Sequence, residues 1–521
     1  MTKRILITLI LLLFSLVFIA GCKEGTGILG AVEEEEKIVV TSKEISIPME
    51  SVRTLNPIVS KDEESYYLNK LIYQGLFELD DTLIPVGVLA KDYTYGEDGI
   101  SLTVTLKDDV LWQDGVTFSA DDVKFSIDAY LSVLKTEKSL YGTYVSNIRS
   151  AKVLNDTTIL ITFQNANNVA IENLTFPIIP HHLFKKVSDV QKNVNNFIPI
   201  GTGPYMVDSI ERGKSIVLKG NPNFKGDIPS NTILIKIIPG KEEAINLFEI
   251  GEIHLSFLKD TDRDTLLKNK MVNVISFPSN EVELLGFNFR HGALKDKRVR
   301  RAIAYAVNNE AIIETCYYGS GVLNDSIYYP NYYGIPSRKP LYEYDPDTAK
   351  LLLKNAGYEG LSLNLLVNGD NNARNLAAQM VKTGLEKLGI TVTLTALQWD
   401  DYNKALASGD FDLYIGGYKI NDTYDMRPVL HSLSKNPINY SNPTLDDLLD
   451  QMQSSMSTDK KRATFEKVHK IITDEIPYYC LLYKTYGLAV SNDLKGNIDP
   501  RFNNIYHGCK NWSLVYEKTE K

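Results

Sequence analysis

A chain of 521 residues, 44% of them hydrophobic, exceeds what one core can organise and is expected to divide into two or three lobes. Its 56 basic and 65 acidic residues give a net charge of −9 with no basic block, which argues against a nucleic-acid partner. The seven histidines are scattered and only His181 and His182 are adjacent, so neither a metal site nor a cofactor is expected.

Lys3 and Arg4 precede an apolar run from Ile5 to Ile19 that ends in Ala20-Gly21-Cys22. The run is short of the roughly 20 residues that span a bilayer, and basic, then apolar, then small is the order of a secretory signal, here residues 1–21. Ile19-Ala20-Gly21-Cys22 resembles the bacterial lipobox, which implies acylation of Cys22 as the mature N-terminus. The expected address is the extracytoplasmic face of the cell membrane, held by lipid, because the negative charge is repelled by an anionic bilayer. Residues 22–36, with Gly25, Gly27, Gly30 and Glu33 to Glu36, read as the lipidated cysteine and a solvated tether. Cys316, Cys480 and Cys509 remain, which allows one disulfide at most.

Lys37 to Val40 and Ile45-Ser46-Ile47 read as an opening strand, and Pro57 forces Asn56 into extended or turning backbone. An amphipathic segment runs from Ser65 to Phe77, and Ile100, Leu102, Val104 and Leu106 alternate as a half-buried strand. Ser119 with Asp122 three residues on opens a helix burying Val123, Ile127, Tyr130, Leu131 and Leu134. Asn155-Asp156 turns a hairpin between Val153-Leu154 and Ile159 to Ile161. In the stretch Leu284 to Val307, Leu285, Phe287 and Phe289 alternate as a strand. Asp296 then caps a helix whose Val299, Ile303, Ala306 and Val307 recur at helical spacing. Arg298, Arg300 and Arg301 crowd its first turn, where the dipole disfavours cations, so carboxylate partners are expected.

Asp345-Pro346 opens and Gly357 closes a helix, proline at the start and glycine at the end. Strand (Leu361 to Val367), helix to Gly389, strand (Ile390 to Ala396), helix (Asp400 to Ala407) and strand (Phe411 to Ile415) then alternate, the pattern of parallel α/β structure with right-handed crossovers. Ligands of such sheets sit beyond the carboxyl ends of the strands. Those ends are Asn368-Gly369-Asp370, Gln398-Trp399 and Gly416-Gly417-Tyr418, the last continuing through Asp422 to Asp425. The glycines admit close approach to backbone, Trp399 and Tyr418 offer apolar faces, and Asp422 and Asp425 offer negative charge. The implied ligand is partly apolar and carries a cation; each residue alone also has a structural use as a cap or packing group.

Catalytic motifs fail on context. Gly201-Thr202-Gly203-Pro204-Tyr205 precedes a strand rather than the helix N-terminus a phosphate loop needs, and Gly213-Lys214-Ser215 lies in a hairpin. Lys382-Thr383-Gly384 falls inside a helix, where penicillin-binding chemistry needs a strand edge. An enzyme is not expected.

Thr54-Leu55-Asn56-Pro57, Leu111 to Gly115 with Ser119 to Val123, Ile200 to Tyr205, Gly286-Phe287-Asn288 with Asp296 to Ile303, Tyr344-Asp345-Pro346 to Tyr358, and Phe411-Asp412 follow one another in a set order. Together they resemble the extracellular solute-binding proteins of family 5, the oligopeptide- and dipeptide-binding lipoproteins of ABC importers. The resemblance implies an α/β fold of the periplasmic-binding-protein type II, with two hinged lobes and an extra α+β subdomain. Lobe I is expected over residues 37–58, 200–284 and 485–521, the subdomain over 59–199 and lobe II over 285–484, with the chain crossing near Leu284 and returning near Tyr483. It also implies a short peptide held extended between the lobes, an ABC permease and ATPase as partners, and a monomer. Asp425, then Asp422, match the position that pairs with the peptide ammonium, and Trp399 matches an aromatic lining the pocket. Tyr418, Gly417, Gly416, Asn368, Tyr402 and Asn56 complete the candidate ligand set. His254 stands where the family has an acidic residue, and Thr423-Tyr424-Asp425-Met426 where it often has Asp-Pro-Asp-Pro. The alternatives are a receptor for a non-peptide solute, such as a nickel complex or oligosaccharide, and a surface lipoprotein that binds partner proteins.

Overall fold

Residues 37–519 are described by the computed structural model, apart from 136–137, 167–170, 193–196, 198, 260–271, 337–339, 422–423 and 455–456. The signal, the lipobox with Cys22, the tether and Asp422 lie outside the described residues. The chain forms two compact units, one of residues 41–515 and a small one of residues 1–40 with 516–521. The described part of the small unit, 37–40 and 516–519, belongs to strands β1 (Lys37–Ser42) and β20 (Ser513–Thr519). The larger unit carries everything that follows.

Its first sheet runs β2 (Glu44–Met49), β11 (Thr232–Ile237), β10 (Ser215–Gly220) and β9 (Tyr205–Glu211). Alternation puts Ile45, Ile47, Ile216, Leu218, Ile233 and Ile235 in its core. Gly213 makes the β9–β10 turn at φ 71°. A second, antiparallel sheet orders β5 (Ala90–Tyr95), β6 (Ser101–Leu106), β8 (Thr158–Phe163) and β7 (Ile148–Asn155), preceded by the short pair β3 (Phe77–Leu79) and β4 (Pro85–Gly87). Helix α2 (Ala120–Leu134) starts where expected, the Asp122 carboxylate accepting from the Ser119 N–H at 2.8 Å, Trp112 Nε1 at 3.2 Å and the His181 N–H at 2.7 Å. Helix α1 (Glu63–Ile72) is shorter than the expected Ser65 to Phe77. Gly201 and Gly203 lie over its last carbonyl, so close that a Cβ would stand 1.9 and 2.6 Å from Ile72 O. The Gly-Thr-Gly-Pro-Tyr run is thus a packing device, with the Gly203 N–H donating to Ile72 O at 2.9 Å.

The third sheet joins the lobes in the order β12 (Leu255–Leu258), β18 (Tyr478–Ser491), β13 (Val272–Phe287), β17 (Leu413–Lys419), β15 (Ser362–Asn368) and β16 (Thr391–Leu397), with β14 (Gly321–Val322) added to β18. β13 and β18 are 16 and 14 residues long and pass antiparallel through the whole junction. Their register shifts between Pro278 and Val282 and again between Glu283 and Leu284. β15 runs parallel to both β16 and β17, as the strand-helix alternation requires. Helix α3 (Lys241–Glu249) packs beside β12. Helices α4 (Lys297–Tyr305), α5 (Asn309–Cys316), α6 (Pro346–Ala356), α7 (Asn372–Glu386) and α8 (Trp399–Ser408) surround the parallel strands, followed by α9 (Arg427–Leu430), α10 (Pro443–Gln453) and α11 (Thr458–Glu475). The core there gathers Leu285, Phe287, Val299, Ile303, Leu365, Val381, Leu413 and Ile415.

The arginines of α4 find their carboxylates. Arg298 pairs with the cap residue Asp296, the fully buried Arg300 with Glu475, and Arg301 with Asp474. Cys316, Cys480 and Cys509 are buried and free. β19 (Leu494–Lys495) lies against the start of β20, Leu494 opposite Leu514. Segment 171–175 meets α11 through Glu172, which takes Lys461 Nζ and, at 2.5 Å, the Tyr333 hydroxyl.

Candidate functional site

β17 outruns its parallel neighbour. Its pairing with β15 covers Leu413 to Ile415, whereas its pairing with β13 continues to Lys419. β15 stops at Asn368, whose Oδ1 caps the next turn by accepting from the Asn371 N–H at 3.0 Å. Residues 416–419 therefore have a strand on one side and, among the described residues, none on the other. Such an edge presents unpaired backbone donors and acceptors.

Most of the candidate residues gather at this end of the sheet. Trp399 begins α8, is 52% exposed and stacks on Tyr402 at 6.0 Å. Tyr402 is buried and donates to Ile415 O at 3.0 Å. The two glycines are explained by protein groups rather than by a ligand. A Cβ at Gly416 would lie 2.6 Å from the Tyr402 hydroxyl, and one at Gly417 2.6 Å from Arg374 Nη2 and 2.7 Å from Val282 O. Beneath Gly417, Arg374 grips Glu283 with both nitrogens, at 2.7 and 3.0 Å, and Lys484 bridges Glu283 and Glu281. Burial alone would raise the Glu281 carboxyl, but Lys484, the Tyr486 hydroxyl and Lys419 hold it below its usual range. The Tyr418 hydroxyl meets that of Tyr414 at 3.0 Å.

Two candidates have other employment. Asn56 is fully buried away from the strand ends, its Nδ2 on Val190 O and its Oδ1 on the Ile58 N–H. Asp425 is held by Arg427, whose Nε and Nη2 donate at 2.9 and 2.7 Å, and Arg427 also lies 3.7 Å from Asp450. The preceding Tyr424 takes a left-handed backbone, φ 48°, and buries its ring against Tyr329 and Tyr332. His254 works as a neutral acceptor joining two strands, its Nδ1 taking the Ser46 N–H at 2.9 Å, with burial and then Lys236 holding its pKa down.

Across from the β17 edge lies a cavity of about 310 Å³ between β2, α1, α3 and β12, lined by Ile47, Met49, Ile245, Leu255, Phe257 and Tyr506 among others. Glu63 on its rim takes Lys259 and stands 3.7 Å from Lys419, the last residue of β17. Glu64 accepts from the N–H groups of Glu50 and Ser51; burial nonetheless raises its carboxyl pKa. Sequence reasoning missed this cavity, because nothing local to residues 47–50, 63–67, 238–258 or 505–506 announces that they meet.

Known proteins share this architecture. Residues 85–441 match the family described as bacterial extracellular solute-binding proteins, family 5 middle. The oligopeptide-binding protein AppA of Bacillus subtilis (strain 168) is 26% identical over 470 residues, 85% of this chain and 86% of that protein. The glutathione-binding protein GsiB of Escherichia coli (strain K12) is 27% identical over 469 residues, 85% of this chain and 89% of that one. The crystal structure of the ABC transporter substrate binding protein CtaP of Listeria monocytogenes superposes with a TM-score of 0.70 at 25% identity, over 91% of this chain and all of that one. With sheet order, motif order and coverage in agreement, the chain belongs to the bacterial extracellular solute-binding proteins of family 5, type II two-lobed α/β proteins that bind solutes for ABC importers and are not enzymes.

Proposed function

We propose that the chain captures short peptides between its lobes and delivers them to a membrane permease driven by an ATPase. The observation that carries this reading is the one-sided end of β17 at residues 416–419. An extended peptide laid there adds a strand through backbone hydrogen bonds, which accept any sequence and leave the side chains to nearby pockets. The relatives named as oligopeptide- and glutathione-binding support a peptide-like ligand. The peptide ammonium goes to the acidic loop after β17; since Asp425 is engaged by Arg427, Asp422 is the first residue to test as its anchor. Trp399, stacked on Tyr402, gives the peptide a flat apolar wall.

Residues 37–58, 200–284 and 485–521 act as lobe I with the subdomain 59–199, against lobe II at 285–484. The register shifts of β13 at 278–284 form the hinge between them. A monomer held to the outer face of the membrane by lipid on Cys22 suits delivery to a permease. Native mass spectrometry of the full chain, purified in mild detergent without refolding, tests the reading. A ladder of bound masses fitting short peptides is expected, and a single non-peptide mass or a metal overturns the substrate assignment.

A further inference from the structure

We infer that the cavity of lobe I selects one bulky apolar side chain of the bound peptide, an inference that rests on the peptide reading above. At about 310 Å³ the cavity sits at the lower end of ligand pockets, roughly 300–1,000 Å³, and suits a side chain rather than a whole peptide. Its walls are aliphatic and aromatic, with Ile47, Met49, Leu255 and Phe257 on the strands and Tyr67 and Tyr506 beside them. The polar groups at its rim are already engaged. Both Glu64 oxygens take backbone N–H groups, Glu63 takes two lysines, and the Tyr67 hydroxyl donates to Phe502 O at 3.1 Å. Among the described residues, no lining residue carries a buried polar side-chain atom without a partner.

A polar side chain entering this space would shed its water and find nothing to replace it. An apolar one loses nothing and buries its surface. The location fits a peptide, because Glu63 on the rim touches Lys419, the end of the strand edge along which the backbone would lie.

The test is calorimetric titration of the full chain with tetra-alanine and with peptides carrying Phe, Leu, Gln or Asp at each position in turn. One position is expected to favour Phe or Leu over Gln and Asp by about 10- to 100-fold, the others to be nearly flat. Ala244→Phe, which adds bulk from α3, is expected to bring the Phe peptide down to the level of tetra-alanine in that variant. Ile245→Ala, which enlarges the cavity, is expected to move the optimum toward Trp. Peptides that bind with no side-chain preference at any position, or a preference that survives both variants, overturn the inference. If no peptide of the series binds at all, the peptide reading itself fails.

Discussion

Asp425 is half-buried, and its charge is spent before a ligand arrives. Arg427 reaches it two residues along the chain with two nitrogens, and the Arg427 N–H adds a third hydrogen bond at 3.0 Å. Side chains that are each 21% exposed form a pair whose contribution lies near the surface range, about 0.2–1 kcal/mol. If that pair only braces the loop, Asp425→Asn costs about 1 kcal/mol or less, because Arg427 keeps Asp450 nearby. Asp422→Asn, by contrast, should weaken peptide binding at least 10-fold if it meets the ammonium, since an ion pair desolvated by the ligand loses its compensation. Titration of both variants with one peptide decides the matter. Affinities within twofold of wild type for both would remove the ammonium from this loop.

At the scale of elements, β17 carries the site because its end is narrow and its underside is filled. Gly417 faces Glu283 across the sheet, and the Arg374–Glu283 pair occupies the place a side chain would take. Gly417→Ala must displace either Val282 O or this buried pair, so a loss of about 2–4 kcal/mol is expected in urea unfolding. Gly292, with helical φ −58° and nothing within 4 Å of its missing Cβ, provides the control, where alanine should change stability by less than about 0.5 kcal/mol. The sheet around this strand was largely readable in advance. The α6 helix has its Asp345 cap, Pro346 start and Gly357 stop, and the alternation of Leu363, Leu365 and Val367 needs no distant information. β13 was legible only in its second half, because Pro278-Ser279-Asn280 looks like a break when it is a register shift inside one long strand. The glycines at 416 and 417 were recognised as places of close approach, but what approaches them comes from residues over 13 and 43 positions away, a fact that no local period encodes.

At the scale of the molecule, the proposed motion of the lobes has to open a seam that contains buried charge. The side chains of Glu172 and Lys461 are 2% and 6% exposed, and the Tyr333 hydroxyl completes the carboxylate's shell. Tyr333 is itself fixed by a left-handed backbone, φ 53°, and by its N–H on Thr82 O at 2.8 Å. A pair buried this deeply adds little net stability, since desolvation offsets the attraction, yet removing one partner leaves the other charge stranded. Glu172→Gln should therefore cost about 3–5 kcal/mol, and the cost falls on the conformation that buries Lys461. The expected result is a lower melting temperature, a larger radius of gyration in solution scattering and weaker peptide binding, although Glu172 lines neither the cavity nor the β17 edge. Glu172→Leu combined with Lys461→Met removes both charges and should restore the compact form and the affinity together. If the single variant keeps wild-type dimensions and affinity, the pair does not hold the seam; if the double variant stays loose, packing rather than stranded charge is responsible.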